Sequence, residues 1–163
     1  MGQRLSSVED LRWDRQNMPI SIHDLQILQD SIPYKFPKDF IKLLNISNGG
    51  DIWYAFDYFN KSLNRQDSLS IYTIYGVNGE YNLIKEYKDP PEFFPADLVI
   101  FSSTGGGGAI AFDYRLDPAT DNPPVVYWMM GFEPEEAVSP VAANFEEFLG
   151  MLREPEPFPE DEV

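Results

Sequence analysis

Cysteine is absent from the 163 residues, which excludes disulfides, thiolate metal sites and a cysteine nucleophile together. Histidine occurs once, at His23. No serine is marked as its partner in a triad, and zinc would need carboxylates gathered around a single imidazole, an unusual set. His23 therefore reads as an exposed or capping residue at a helix start. Positive charge is scarce, with 12 Lys and Arg against 27 Asp and Glu, a formal net of −15. That balance disfavours nucleic acid as a direct ligand, because phosphate binding needs clustered Lys and Arg. Long apolar runs are missing too: no stretch approaches the roughly 18 to 20 residues of a membrane span. The opening MGQRLSSVEDLRWDR mixes acids and bases where a secretory leader needs an apolar run. These absences predict no membrane segment and a cytoplasmic protein.

What is present supports a packed domain. Hydrophobic residues make up 43% of the chain and aromatics 15%, enough to build one core and to argue against global disorder. The negative charge is uneven. Residues 1–115 carry 15 acids and 11 bases, whereas residues 116–163 carry 12 acids and Arg153 alone, so most of the excess lies in the last 48 positions. Such a field speeds encounter with a basic protein and selects against wrong partners.

Two helices open the domain. Ser21 is placed to cap one over 22–32, with Asp24 at the third position of a capping box. Pro37 suits the first position of the next, where its missing N–H costs nothing, and Asp39 complements the positive end of its dipole. Phe40, Ile41, Leu43 and Leu44 form its apolar stripe, and Asn48-Gly49-Gly50 ends it. Strand signals follow. Ile52, Tyr54, Phe56 and Tyr58 alternate with Trp53, Ala55 and Phe59, then a polar connection (60–68) leads to a strand at 69–75. A short helix fits 80–88, stopped by Asp89-Pro90-Pro91. Residues 98–101 and 109–114 pair as a hairpin across Gly105, Gly106, Gly107 and Gly108. Strands are expected at 125–130 and within 131–141, and Asn144 caps a last helix with Glu147 three residues on. Strands joined by short turns, with helices grouped at the ends, predict an α+β domain: a mainly antiparallel twisted sheet with helices packed on one side. The expected organisation is an arm (1–19), a domain (20–153) and an acidic, proline-rich tail (154–163).

The proline-led helix ending in Asn-Gly-Gly, the strand–glycine–strand unit FPADLVIFSSTGGGGAIAFDYR and the closing NFEEFLGML resemble, in that order, the SUKH superfamily. This group is related to the fungal cell-wall synthesis regulator and to many bacterial immunity proteins, and the resemblance covers roughly residues 20–153. It implies an α+β domain that works by binding a protein, often a cognate toxin that it neutralises, and it implies no catalytic residues. Pro37, Gly49, Gly50, Gly105, Gly106, Gly107, Gly108 and Asn144 are then structural motif positions.

The remaining motifs carry little chemistry. Thr104 and the four glycines invite a phosphate-loop reading, but a strand follows them rather than a helix, and no Gly-Lys-Ser/Thr is present. They read as a turn whose glycines supply positive φ. Asp113, Asp117 and Asp121 lack the glycine and terminal glutamate of a calcium loop. With 27 acids in the chain, close carboxylate pairs arise by chance. The carboxylates of Asp113, Asp117, Asp121, Glu133, Glu135 and Glu136 are thus candidate partner contacts rather than an acid/base site. No catalytic residue, metal or cofactor is expected. The leading reading is an immunity protein that blocks a basic, nucleic-acid-targeting toxin. A regulatory scaffold of the cell-wall regulator type comes second and a hydrolase third.

Overall fold

The computed structural model describes residues 5–155. Among them, seven strands form one sheet in chain order, every neighbouring pair antiparallel, accompanied by four α-helices. The strands are β1 (Arg15–Gln16), β2 (Gly50–Asn60), β3 (Arg65–Ile74), β4 (Leu98–Thr104), β5 (Ala109–Asp113), β6 (Val125–Trp128) and β7 (Val138–Ala142). The helices are α1 (Ile22–Ser31), α2 (Lys38–Ile46), α3 (Leu83–Lys88) and α4 (Phe145–Met151). The expected α+β class is the observed one. Each strand pairs with its sequence neighbour, across tight turns from β2 to β3 and from β4 to β5, and across helices from β1 to β2 and from β3 to β4.

Phenylalanines join the layers. Phe40 of α2 meets Phe101 of β4 at 5.6 Å, Phe112 of β5 at 5.2 Å and Phe145 of α4 at 5.6 Å, all edge-on. Phe101 and Phe112 stack across the β4–β5 ladder at 4.1 Å. Phe56 of β2 reaches Phe148 of α4 at 5.4 Å. Aromatic contacts of this sort are each worth about 0.5–1.5 kcal/mol beyond area burial. The stripe predicted on α2 is the buried one: Phe40, Leu43 and Leu44 are fully covered.

Strands β4, β5 and β6 are buried along almost their whole length, because the second face of the sheet is covered as well. Trp128 points away from its neighbour Tyr127, and the ring of Phe94, from the connection after α3, packs edge-on against it at 5.2 Å. The sheet also curls. The far end of β2 comes round to the opposite edge, where the Lys61 N–H donates to Ser139 Oγ at 2.8 Å and the Tyr58 ring meets Tyr127 at 5.5 Å. Beyond α4, Ala55 and Arg153 exchange both backbone hydrogen bonds at 2.9 Å, tying the end of the domain to β2.

Several boundaries differ from the sequence reading, each for a local reason. Strand β3 begins at Arg65 rather than 69, because pairing with β2 continues through polar residues to Asn60 and the turn shrinks to 61–64. Pro37 caps α2 from outside instead of occupying its first turn. Helix α3 starts after Asn82, whose side chain accepts from the Ile84 and Lys85 N–H groups. Ser21 and Asn144 do cap, accepting from the Asp24 and Glu147 N–H groups at 3.0 and 2.8 Å. Ahead of α1, Val8 and Leu11 are buried and Asp10 completes a capping box with Ser7. Of the expected tail, residues 156–163 lie outside the described residues.

Candidate functional site

The Asn-Gly-Gly that ends α2 is a lock rather than a simple stop. The side chain of Asn48 reads the backbone of Val77 in both directions, its Nδ2 donating to the Val77 carbonyl at 2.8 Å and its Oδ1 accepting from the Val77 N–H at 2.8 Å. Gly49 sits at φ +73, and a Cβ there would lie 2.7 Å from the Ile74 carbonyl oxygen. Position 76 is equally closed, since a Cβ would meet Asn48 atoms at 2.5 Å. The motif fastens α2 to the connection between β3 and α3.

The four-glycine turn is not uniform. Among its members only Gly107 has positive φ, at +84, so the expectation that the glycines as a group supply that conformation is corrected. Gly108 is required for space, because a Cβ would press on the Tyr127 hydroxyl at 2.4 Å and the Trp128 carbonyl at 2.6 Å. Gly106 faces open space. The turn leads into β5, and no helix N-terminus stands behind it.

The six predicted contact carboxylates separate into two groups at opposite ends of β6. Asp113, Asp117 and Asp121 lie at or beyond the end of β5, on the way to β6; Glu133, Glu135 and Glu136 lie between β6 and β7. In the first group, Asp113 is held by Arg115 through two contacts of 2.9 Å. This pairing raises the guanidinium above its ordinary value. Asp117 accepts from the Ala119 N–H at 3.1 Å and so organises its own loop. Asp121 is exposed and joins Asp39 and Glu146 around an open cleft of 320 Å³, which Lys38 also borders. In the second group all three glutamates are exposed, and among the described residues none has an ion-pair partner. Arg153, the single base of the last 48 residues, is spent on Asp57 at 3.0 Å.

The tyrosines are the most perturbed titrating groups. Burial pushes the Tyr58 and Tyr75 phenols up to about 12. It also raises Tyr127 and drives Tyr114 higher still. Tyr34 rises through burial and through its hydrogen bond to Asp97. Phenols held this firmly protonated are poor bases near neutral pH. Of these, Tyr34 borders a hollow of 380 Å³, where burial also raises the Glu86 carboxyl while Asp97 is engaged by Tyr34. A raised carboxyl beside a locked phenol makes no nucleophile–base pair. His23 is exposed on α1, and among the described residues no cluster of three or more His, Asp or Glu side chains is placed to hold a metal ion. No described helix is long and apolar enough to cross a membrane.

Sequence reasoning missed the Asn48 lock and the cleft joining Asp121 to Asp39 and Glu146. An asparagine directly before two glycines was the available signal for the first. The cleft arises from contacts between distant segments, which leave no local pattern. No match to a curated protein or to a solved structure was found. A family model does match, and it spans residues 19–151, from the end of the arm through α4. The chain belongs to the SMI1 / KNR4 family (SUKH-1).

Proposed function

We propose that this chain is a non-enzymatic, cytoplasmic immunity protein that neutralises a cognate basic toxin domain by direct binding. The observation carrying the reading is family membership over residues 19–151, since members of this superfamily act through protein contacts. Charge supports the polarity of the partner. The exposed carboxylates at the end of β6 are unpaired among the described residues, and the whole chain holds 27 acids to 12 bases. Acidic side chains then occupy the groove where a nucleic-acid-targeting toxin holds phosphates, and its active site is blocked without any cofactor. Complementarity of charge and shape is the whole mechanism.

Co-purification from the native host, followed by identification of whatever binds at one-to-one stoichiometry, tests this. The expected result is a toxin domain whose activity falls in proportion to added chain, with His23→Ala as effective as the unaltered protein. Recovery of a regulatory enzyme that the chain binds without inhibiting would favour the scaffold role. Recovery of no protein partner would end both readings.

A further inference from the structure

The connection between α3 and β4 covers Trp128 with Phe94 and leaves beside it a hollow of 380 Å³. Tyr34, Glu86, Tyr87, Phe94, Asp97 and Ile100 are among the residues lining it. Sites for small ligands and single side chains fall in this range, about 300–1,000 Å³.

The aromatic walls of the hollow are fixed from behind. Tyr34 stacks on the buried Tyr114 at 4.4 Å with the planes 15° apart, and its hydroxyl donates to Asp97 Oδ1. Tyr87 meets Tyr34 edge-on at 6.2 Å, so the two rings form a corner. Phe94 rests on Trp128, and the Asp97 carbonyl accepts from the Tyr114 N–H at 2.9 Å. The connection holds two left-handed residues that are not glycine, Phe93 at φ +63 and Asp97 at φ +67. Side chains rarely take that conformation, and Phe93 keeps 63% of its surface in solvent.

Glu86 is the group in the hollow left without a close partner. Its side chain is half-buried, and among the described residues it makes no hydrogen bond and no ion pair. Burial holds its carboxyl above the ordinary range, opposed by Lys85 and reinforced by Asp89. Lys85 and Lys88, three positions apart on α3, are exposed, and neither lines the hollow. A cation entering the hollow would replace the hydration that Glu86 has lost and favour its ionised form. Arginine suits such a place best, because its guanidinium stacks on aromatic rings and offers a fork of N–H groups to a carboxylate.

We propose that this hollow receives one arginine side chain of a bound protein, with the guanidinium facing Glu86 and the stem lying along the aromatic walls. The proposal rests on the protein-binding reading above and gives the basic partner a point of attachment.

The probe is acetyl-arginine-amide, titrated into the full ¹⁵N-labelled chain alongside acetyl-citrulline-amide, which keeps the shape and lacks the charge. The arginine probe should shift the amide signals of Tyr34, Glu86, Tyr87 and Phe94. The citrulline probe should bind about tenfold more weakly. Glu86→Gln keeps the size of a side chain that makes no hydrogen bond, so thermal melts should be unchanged while arginine affinity falls about tenfold. Tyr87→Leu should weaken the arginine probe as well, and Glu133→Gln should leave it unaffected. Equal binding of the two probes, shifts spread over the acidic loops, affinity unchanged by Glu86→Gln, or no shift at all would overturn the proposal. A co-purified toxin that binds Glu86→Gln undiminished would refute this site and spare the immunity reading. Failure to recover any partner would sink that reading and this proposal with it.

Discussion

Asn48 shows how one side chain can hold two elements in place. Its loss would leave the Val77 N–H and carbonyl without their partners, so Asn48→Ala should lower stability by about 1–3 kcal/mol in denaturant unfolding. The glycine turn offers a sharper contrast. Gly106→Ala enters open space and should change stability by no more than about 0.5 kcal/mol. Gly108→Ala presses on Tyr127 and the Trp128 backbone and should cost about 1–3 kcal/mol as the core yields. Equal effects at the two positions would mean the turn is arranged differently. Tyrosine titration gives a third residue-scale expectation. Burial pushes Tyr58 and Tyr75 up to about 12 in the folded chain, above the ordinary phenol value of 10.0, so the unfolded chain releases those protons first. Their contribution is full below pH 10 and is lost as pH rises from there towards 12. Thermal melts should therefore fall steeply across that alkaline window, with phenolate absorbance appearing together with unfolding.

Elements were legible wherever the pattern was local. Helix α2 announced itself through Pro37, Asp39 and its apolar stripe, and replacing Phe40 with alanine should cost about 3–5 kcal/mol, because its ring touches both central strands and α4. A near-neutral result would mean the stripe packs elsewhere. Asn144→Ala should cost about 1 kcal/mol through the lost cap on α4, read by the same unfolding curves. The hairpin around Gly105–Gly108 was equally plain, since two apolar runs flank one glycine cluster. Strand β3 was half hidden. Residues 65–68 are polar and mostly exposed whichever face they take, so their pairing with β2 comes from register and not from burial. The covering of Trp128 by Phe94 was invisible for a different reason: residues 34 positions apart meet only once the sheet has formed. The candidate site divides the same way. Acidity was readable as composition, but its division between the two ends of β6 needed the topology.

At the scale of the whole molecule, charge and shape have separate tasks. A curled antiparallel sheet, closed on its inner face by phenylalanines, keeps its acidic loops outside the core. Under the proposed function, net negative charge sets how fast a basic partner arrives, and shape sets how long it stays. Reversing Glu133, Glu135 and Glu136 to Lys should slow association by about tenfold at low salt, with a smaller change in dissociation. The central claim, recognition of a basic protein steered by this acidic surface, is tested most directly by stopped-flow association with the recovered partner across a salt series. The account predicts an on-rate that falls by about tenfold or more between low salt and several times physiological ionic strength, while the off-rate changes little. An on-rate that does not respond to salt would contradict it.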